Sequence, residues 1–252
     1  MIDWLRRASV RTVVAAPRAA VAPATIALGD HLLPIVVRRS AAARQMTLRL
    51  SPDGREVRVT IPRWGARREA EAFARSRADW LAANRAALPV ARPVEPGGFV
   101  PYRGGLLRLD WREGVTRRVR LEGDALVLGG PAASLAPRLQ RWLEAEARAL
   151  FAADLADYCA RAGRPLAPLA LSGAQRRWGS CSAQGSIRLN WRLAMAPDAV
   201  RRSVVAHEVA HLAHFDHGPA FHAELARLFE GDLAAANHWL KTEGRGLYAW
   251  FG

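Results

Sequence analysis

The sequence is poor in cysteine, in lysine and in long apolar runs, and each shortage excludes a class of protein. Its only cysteines are Cys159 and Cys181, so a disulfide-stapled fold is not expected and a reducing, cytoplasmic setting is the simpler inference. No run of 18 or more apolar residues occurs, which argues against a membrane span. Lys241 is the only lysine, so arginine carries the positive charge.

That positive charge is large and unevenly distributed. The 252 residues carry 37 basic and 23 acidic side chains, a formal net charge of +14. Residues 1–100 have 17 basic and 8 acidic side chains, whereas residues 203–252 have 3 and 6. Such a balance favours contact with polyanions or acidic surfaces, although solubility alone would also explain it. We therefore expect weak, sequence-independent binding of DNA or RNA through the basic N-terminal part.

The pattern of apolar residues divides the chain into a leader and two folded parts. Residues 1–29 are rich in alanine and interrupted by arginine and proline, which indicates a flexible leader. Residues 30–98 combine strand-like alternation with a helical stripe over 66–88 and end in a stretch rich in proline and glycine. Residues 99–252 alternate short strands with longer helices. We therefore predict an α+β fold in which a β-rich, basic part precedes the domain that carries the histidines.

Individual elements of the second part can be placed from periodicity and from turn residues. No internal repeat is evident in the sequence. The expected strands lie near 106–111, 117–121, 125–128, 168–171 and 186–191, and the expected helices near 135–162, 198–214, 219–230 and 232–243.

Six of the seven histidines fall between residues 207 and 238, and the first two form the motif His207-Glu208-Val209-Ala210-His211. Side chains four residues apart share a face of a helix, so two imidazoles can bind one metal ion at about 2.0–2.1 Å. Glu208 lies beside them and can take a proton from water. The motif therefore predicts a Zn²⁺ site with Glu208 as the catalytic base.

A catalytic zinc ion usually has three protein ligands, so a third ligand is required. The downstream candidates are His214, His217, His222, Glu224 and His238. His217 is preferred, because the Gly-Pro pair after it marks a break that lets the chain turn back. His214 would lie about 10.5 Å along the helix axis from His207, which is too far for one shared ion. Glu224 is the main alternative to His217.

Substrate contacts are predicted on the strand over residues 186–191. If this strand lies at an exposed edge, it can bind an extended peptide through backbone hydrogen bonds. Ile187, Leu189 and Asn190 are then candidate substrate-binding residues. The alternative is a core hairpin, because Ile187 and Leu189 also suit a buried face.

Two residues upstream of this strand could take part in chemistry. Arg177 is a candidate for substrate binding through a developing oxyanion, and the alternative is a structural arginine stacked beside Trp178. A cysteine hydrolase that uses Cys181 is disfavoured, because no nucleophile motif surrounds that residue.

The same region carries a resemblance to a known family. Residues 177–182 (Arg-Trp-Gly-Ser-Cys-Ser), the following strand and residues 207–221 resemble the YgjP-like metal-dependent hydrolases, which are similar in their core to SprT-like and Spartan-type zinc proteases. The close resemblance covers about residues 176–225 and a looser one extends back to about residue 30. It implies a zincin-like metallopeptidase core, in which the histidine helix packs against a small sheet, and His217 as third ligand.

The function expected from these residues is that of a zinc metallopeptidase of the HExxH, gluzincin or SprT-like type. Glu208 would take a proton from the attacking water and pass it to the leaving amine of a peptide or protein substrate. The alternatives are a nucleic-acid-associated adaptor with a structural zinc and a DNA-bound protease. Glu208 argues against the adaptor, because a structural zinc site uses four protein ligands and needs no carboxylate beside them. The sequence indicates neither the natural substrate nor an oligomeric state.

Overall fold

The computed structural model describes residues 24–51 and 54–251, and the chain divides into two compact units between Ala86 and Ala87. The segment Thr25–Leu28 is a β-strand, so the folded chain begins before residue 29, where the predicted leader ends. The rest of that predicted leader, residues 1–23, lies outside the described residues.

The proline-rich stretch over 87–98 is anchored to unit 2. The Arg92 amide donates a hydrogen bond to the Ala249 carbonyl (2.9 Å), and its guanidinium lies 5.6 Å from the ring centroid of Trp250. Val94 packs against the core of the same unit. These contacts group the stretch with unit 2, and the sequence pattern alone had grouped it with the N-terminal part.

Unit 1 is a four-stranded sheet with two helices packed on it. Its elements are β1 (Thr25–Leu28), β2 (His31–Arg39), β3 (Thr47–Leu50), β4 (Val57–Ile61), α1 (Arg67–Arg75) and α2 (Ala78–Ala86). The strand order is β1-β2-β4-β3, and only the central pair β2/β4 is parallel. Val57, Val59 and Ile61 are fully buried, because alternate side chains of a strand point to the same face.

Unit 2 opens with a second sheet of the same connectivity. Its strands are β5 (Phe99–Tyr102), β6 (Gly105–Trp111), β7 (Arg120–Glu122) and β8 (Ala125–Leu128). Their order is β5-β6-β8-β7, and again only the central pair is parallel. Both units therefore contain two hairpins joined by a parallel pair and followed by helix, a structural repeat that the sequence did not reveal.

The remainder of unit 2 carries the histidines. It comprises α3 (Leu135–Arg161), β9 (Leu169–Ser172), β10 (Gly179–Cys181), β11 (Ile187–Asn190), α4 (Asp198–Ala210), α5 (Pro219–Leu228) and α6 (Leu233–Thr242). The third sheet has the order β10-β11-β9, and α4 packs against β10 and β11. The predicted α+β fold class is confirmed. Within residues 24–51 and 54–251, no helix combines the length and apolar character needed to cross a membrane.

Buried ion pairs fix helix α4 against helix α3. Arg201 donates to Asp154 at 2.7 Å, and each side chain is only 5 % exposed. Arg202 bonds the same carboxylate at 3.2 Å and Asp157 at 2.8 Å. A buried charge without a partner is strongly unfavourable, so these pairs allow few other placements of α4. The helix that carries the histidine motif is thereby held in one orientation.

Candidate active site

Helix α4 presents the motif residues at its C-terminal end. The helix ends at Ala210, one turn earlier than predicted, and His211 is its C-cap residue. The Nε2 atoms of His207 and His211 lie 3.2 Å apart. This proximity is what the four-residue spacing predicts, because His207 and His211 share one face of the helix.

The chain turns back after α4 and brings a third histidine to the same point. Helix α5 begins at Pro219 with Gly218 as its N-cap residue. His217, just before this cap, places its Nε2 atom 3.2 Å from that of His207. One ring nitrogen from each of the three histidines lies within 4.8 Å of the other two, and the described residues contain no second group of this kind.

These three imidazoles fit a tetrahedral metal ion. His211 donates its Nδ1 hydrogen to the His214 carbonyl (2.9 Å), so the Nε2 lone pair of the neutral ring points toward the other two histidines. Metal–nitrogen bonds of about 2.0–2.1 Å in tetrahedral geometry place two ligand nitrogens about 3.4 Å apart. The observed separations of 3.2 Å match this value. Three ring nitrogens that converge at this spacing can therefore serve as ligands of one cation.

The buried ring of Phe221 supports all three imidazoles. Its centroid lies 4.9 Å from that of His207, 4.6 Å from that of His211 and 4.7 Å from that of His217. Aromatic contacts at this range restrict the orientation of each ring. Nothing in the sequence marks Phe221 for this role, because one apolar residue on an amphipathic helix has the same pattern as any core residue.

The remaining candidates for the third ligand lie outside this group. Glu224 forms an ion pair with Arg227 at 2.7 Å. His214 contributes its backbone carbonyl to His211, while the side chains of His222 and His238 are exposed. The three-histidine arrangement therefore departs from a set of two histidines and one glutamate, which a gluzincin-type site would have.

The protonation state of His207 suits a metal ligand. Burial lowers its pKa to about 4, and the nearby rings of His211, His217 and His222 act in the same direction. Its imidazole is therefore neutral near pH 7, which is the form that binds a metal ion.

Glu208 is buried beside the histidines, against the strand β10. The Gly179 backbone lies so close that a Cβ atom there would be 2.4 Å from Glu208 Oε1. Burial raises the pKa of Glu208 to about 7, while the charge of Arg177 and a hydrogen bond from the Cys181 amide oppose this rise. A bound cation would favour the ionised carboxylate further. Glu208 is thus a proton acceptor held in a fixed position.

The prediction that residues 186–191 form an edge strand was wrong. Strand β11 is the centre of its sheet, with β10 on one side and β9 on the other. Ile187 and Leu189 are fully buried, so the core alternative is the one observed. Asn190 is also buried, and its amide donates to the Ala174 carbonyl (2.6 Å) and to the Tyr248 hydroxyl (2.9 Å). All three side chains are buried in the sheet, so none of them has exposed surface to offer a ligand.

The two upstream candidates lie near Glu208. Arg177 is exposed, and it is close enough for its charge to lower the pKa of Glu208. The pKa of Cys181 is raised by burial and by the charge of Glu208, which disfavours the thiolate that a cysteine nucleophile requires. The cysteine hydrolase alternative therefore loses support.

A cleft of about 250 Å³ opens beside the histidine motif. His207 and Glu208 form one side of it. The apolar wall consists of Trp178, Val204, Leu233 and Leu240. Such a cleft can take a small or medium apolar side chain of a ligand whose backbone lies near Glu208.

A family described as YgjP-like, metallopeptidase domain, matches residues 44–243 of the chain. The chain belongs to this family. No curated protein and no solved structure matches it at a significant level. Membership makes this YgjP-like chain a metal-dependent peptidase in general terms, and the three-histidine group is the part of the described structure that can hold the metal.

Proposed function

We propose that this YgjP-like protein is a zinc peptidase in which His207, His211 and His217 hold the ion and Glu208 is the general base. The observation that carries the proposal is the convergence of three imidazole nitrogens beside a buried carboxylate, at the mouth of a cleft. Three neutral nitrogen ligands with a fourth position open to solvent are typical of catalytic zinc sites.

When bound, the ion supplies Lewis acidity, which acidifies water and polarises a peptide carbonyl. The protein supplies proton transfer. Glu208 takes the proton of the attacking water on a carboxylate oxygen and then delivers it to the nitrogen of the departing amine. The Cys181 amide orients the carboxylate through a hydrogen bond, and Gly179 leaves room for it. One side chain thus serves as base and then as acid.

The alternative of an adaptor with a structural zinc is less well supported. A structural site is closed by four protein ligands. Among the described residues the group contains three such side chains, and it adjoins a cleft. This combination favours catalysis.

The substrate is proposed to lie along β10. The residues that flank β10 are hydrogen-bonded through their backbones to β11 and the residues next to it. The Trp178 carbonyl accepts from the Asn190 backbone amide, and the Ser182 backbone amide donates to the Ser186 carbonyl. Gly179 lies between them, so its backbone N–H and C=O point away from β11, and Glu208 lies where a Cβ atom of this residue would project. An extended peptide paired there would bring its scissile carbonyl close to the carboxylate and one side chain into the cleft.

A peptide-library digest tests this function. We expect zinc-loaded protein to generate new amino termini in a mixture of unstructured peptides, with enrichment of apolar residues of small or medium size next to the cleaved bond. Treatment with a chelator should abolish the cleavage, and added zinc should restore it. New termini that appear equally in the presence of the chelator would refute a metal peptidase.

Gly179→Ala is expected to lower peptidase activity by at least about tenfold, because a shift of the base by 1 Å is enough for such a loss. The new Cβ atom would fall 2.4 Å from Glu208 Oε1, so the carboxylate must move. Gly173→Ala is a matched control directly after β9 of the same sheet, since its Cβ atom would meet nothing closer than Trp191 Nε1 at 3.9 Å. Both variants should bind zinc. Equal activity of the two variants would show that Gly179 does not position the base.

A further inference from the structure

A second cavity in unit 2 is strongly basic. This groove of about 580 Å³ lies between the N-terminal turns of α3 and the segment that leads into β7. We call it the arginine groove, and its charged and aromatic lining residues are Arg117, Arg118, Arg138, Arg141, Trp142 and Glu146. It shares no lining residue with the cleft beside Glu208.

Arg138 gives the arginine groove a fixed shape. Its guanidinium donates to the carbonyls of Ser134 (3.1 Å), Arg117 (3.2 Å) and Pro131 (3.2 Å), and also to that of Gly129. These bonds tie the segment before β7 and the turn after β8 to helix α3. All four acceptors are neutral, so the charge of Arg138 is not compensated by them.

The other three arginines of the groove have no ion-pair partner among the carboxylates of residues 24–51 and 54–251. The unpaired arginines are a feature of the groove, because two arginines close to it in the sequence do form ion pairs with carboxylates. Arg112 forms an ion pair with Asp110, and Arg120 lies 3.3 Å from Glu122. Mutual repulsion in the groove is evident at Arg138, whose pKa is lowered by burial and by the charges of Arg117 and Arg141.

The lining favours nucleic acid over an acidic protein as the occupant. Four arginines against one glutamate leave a formal charge of +3. The carboxylate of Glu146 already accepts a hydrogen bond from the Tyr102 hydroxyl (2.7 Å). A guanidinium group can donate two parallel hydrogen bonds to the oxygens of one phosphate, and a tryptophan ring in the same groove can stack on a base. The half-buried ring of Trp142 packs against Tyr102 at 5.2 Å between ring centroids and also lines the groove.

We propose that the arginine groove binds single-stranded nucleic acid. Arg117, Arg118 and Arg141 contact the phosphates, and Trp142 lies beside a base. This activity goes beyond peptide hydrolysis and does not depend on the metal site. It also places the principal contact in unit 2, whereas the charge distribution of the sequence pointed to the N-terminal part.

The test measures binding of labelled 20-nucleotide single strands to the full chain by fluorescence anisotropy, at salt concentrations from 50 to 200 mM. The groove variant combines Arg117→Gln, Arg118→Gln and Arg141→Gln and keeps Arg138, which holds the loops. The control combines Arg38→Gln, Arg49→Gln and Arg68→Gln, three exposed arginines of unit 1 that form no ion pair with any carboxylate in the described part of the chain. Circular dichroism verifies that both triple variants fold.

We expect the groove variant to bind at least about tenfold more weakly at 50 mM salt, and the control to bind like the unmodified protein. Each phosphate contact contributes about −0.7 to the slope of log affinity against log salt, so loss of three contacts should flatten that slope by about 2. Equal losses in both triple variants, or no binding by the unmodified protein at 50 mM, would overturn the proposal. Tighter binding of a polyglutamate peptide or of duplex than of the single strand would also overturn it.

Discussion

Replacing Glu208 with glutamine is expected to abolish peptide hydrolysis while leaving zinc binding and the fold intact. General acid–base groups contribute about 10²–10⁴-fold to rate, so the variant should lose activity by that order. Glutamine has the size of glutamate, and its amide oxygen can still accept the hydrogen bond from the Cys181 backbone. What it lacks is the capacity to take up a proton.

The measurement compares cleavage rates of one peptide from the library digest for the unmodified protein and for Glu208→Gln at equal zinc content. Glu113→Gln is the matched control, because Glu113 is exposed and far along the chain from the histidines. It should cleave at the unmodified rate. Near-normal cleavage by the Glu208 variant would show that another group takes the proton, and loss of its zinc would show a structural role.

The expected loss depends on the surroundings of the carboxylate as much as on its chemistry. The backbone of β10 passes directly beneath it, and the side chain is only 5 % exposed. A buried base does not have to shed bound water before it takes a proton, and its orientation is fixed in advance. An exposed glutamate at the same distance from the histidines would be a weaker base catalyst. The burial of Glu208 therefore contributes to its proposed role as the base.

Helix periodicity and spacing were sufficient to predict which three histidines come together. The motif at 207–211 is local, so two imidazoles and the carboxylate follow from helix geometry alone. His217 was favoured because the Gly-Pro pair after it predicts a break, and α5 does begin at Pro219. The predicted bounds of the long helix α3 agree with the structure to within one residue, since 27 residues of helical pattern leave little ambiguity.

The prediction failed where the pattern was short or where tertiary contacts decided the outcome. Strand β10 has three residues, Gly179–Cys181, and no apolar alternation, so it was not predicted. Without it, the apolar strand β11 was taken for an edge although it is central. The helix expected over 66–88 is divided at Ser76, whose hydroxyl donates to the Phe73 carbonyl (2.9 Å) and competes with helical hydrogen bonding.

His214 shows how the point at which a helix ends changes the role of the residues that follow it. It was set aside because a continuous helix would carry it too far from His207. The helix in fact ends at Ala210, and the turn that follows brings the His214 carbonyl to within 2.9 Å of His211 Nδ1. Its backbone therefore orients one of the proposed ligands, as outer-shell groups of metal sites commonly do. The side chain takes no part in this contact.

Because His217 contributes its side chain and His214 only its backbone, the two substitutions should differ. His217→Ala should weaken zinc binding by more than about 100-fold, whereas His214→Ala should leave it nearly unchanged. Loss of an outer-shell partner typically weakens metal binding by about 10–100-fold, so loss of a direct ligand should exceed that range. His217 Nε2 lies 3.2 Å from His207 Nε2 and completes the three-nitrogen group. His214→Ala keeps the backbone carbonyl that accepts from His211, so this variant is a matched control three residues away.

Zinc content after dialysis and competition with a chromogenic chelator would give the two affinities, and circular dichroism would verify that both variants fold. Glu224→Gln belongs in the same series, because Glu224 was the main alternative ligand and its carboxylate is paired with Arg227. It should retain zinc. Loss of zinc on the Glu224 or the His214 substitution, together with retention on the His217 substitution, would contradict the proposed ligand set. Since binding is read directly, this result does not require that any substrate be known.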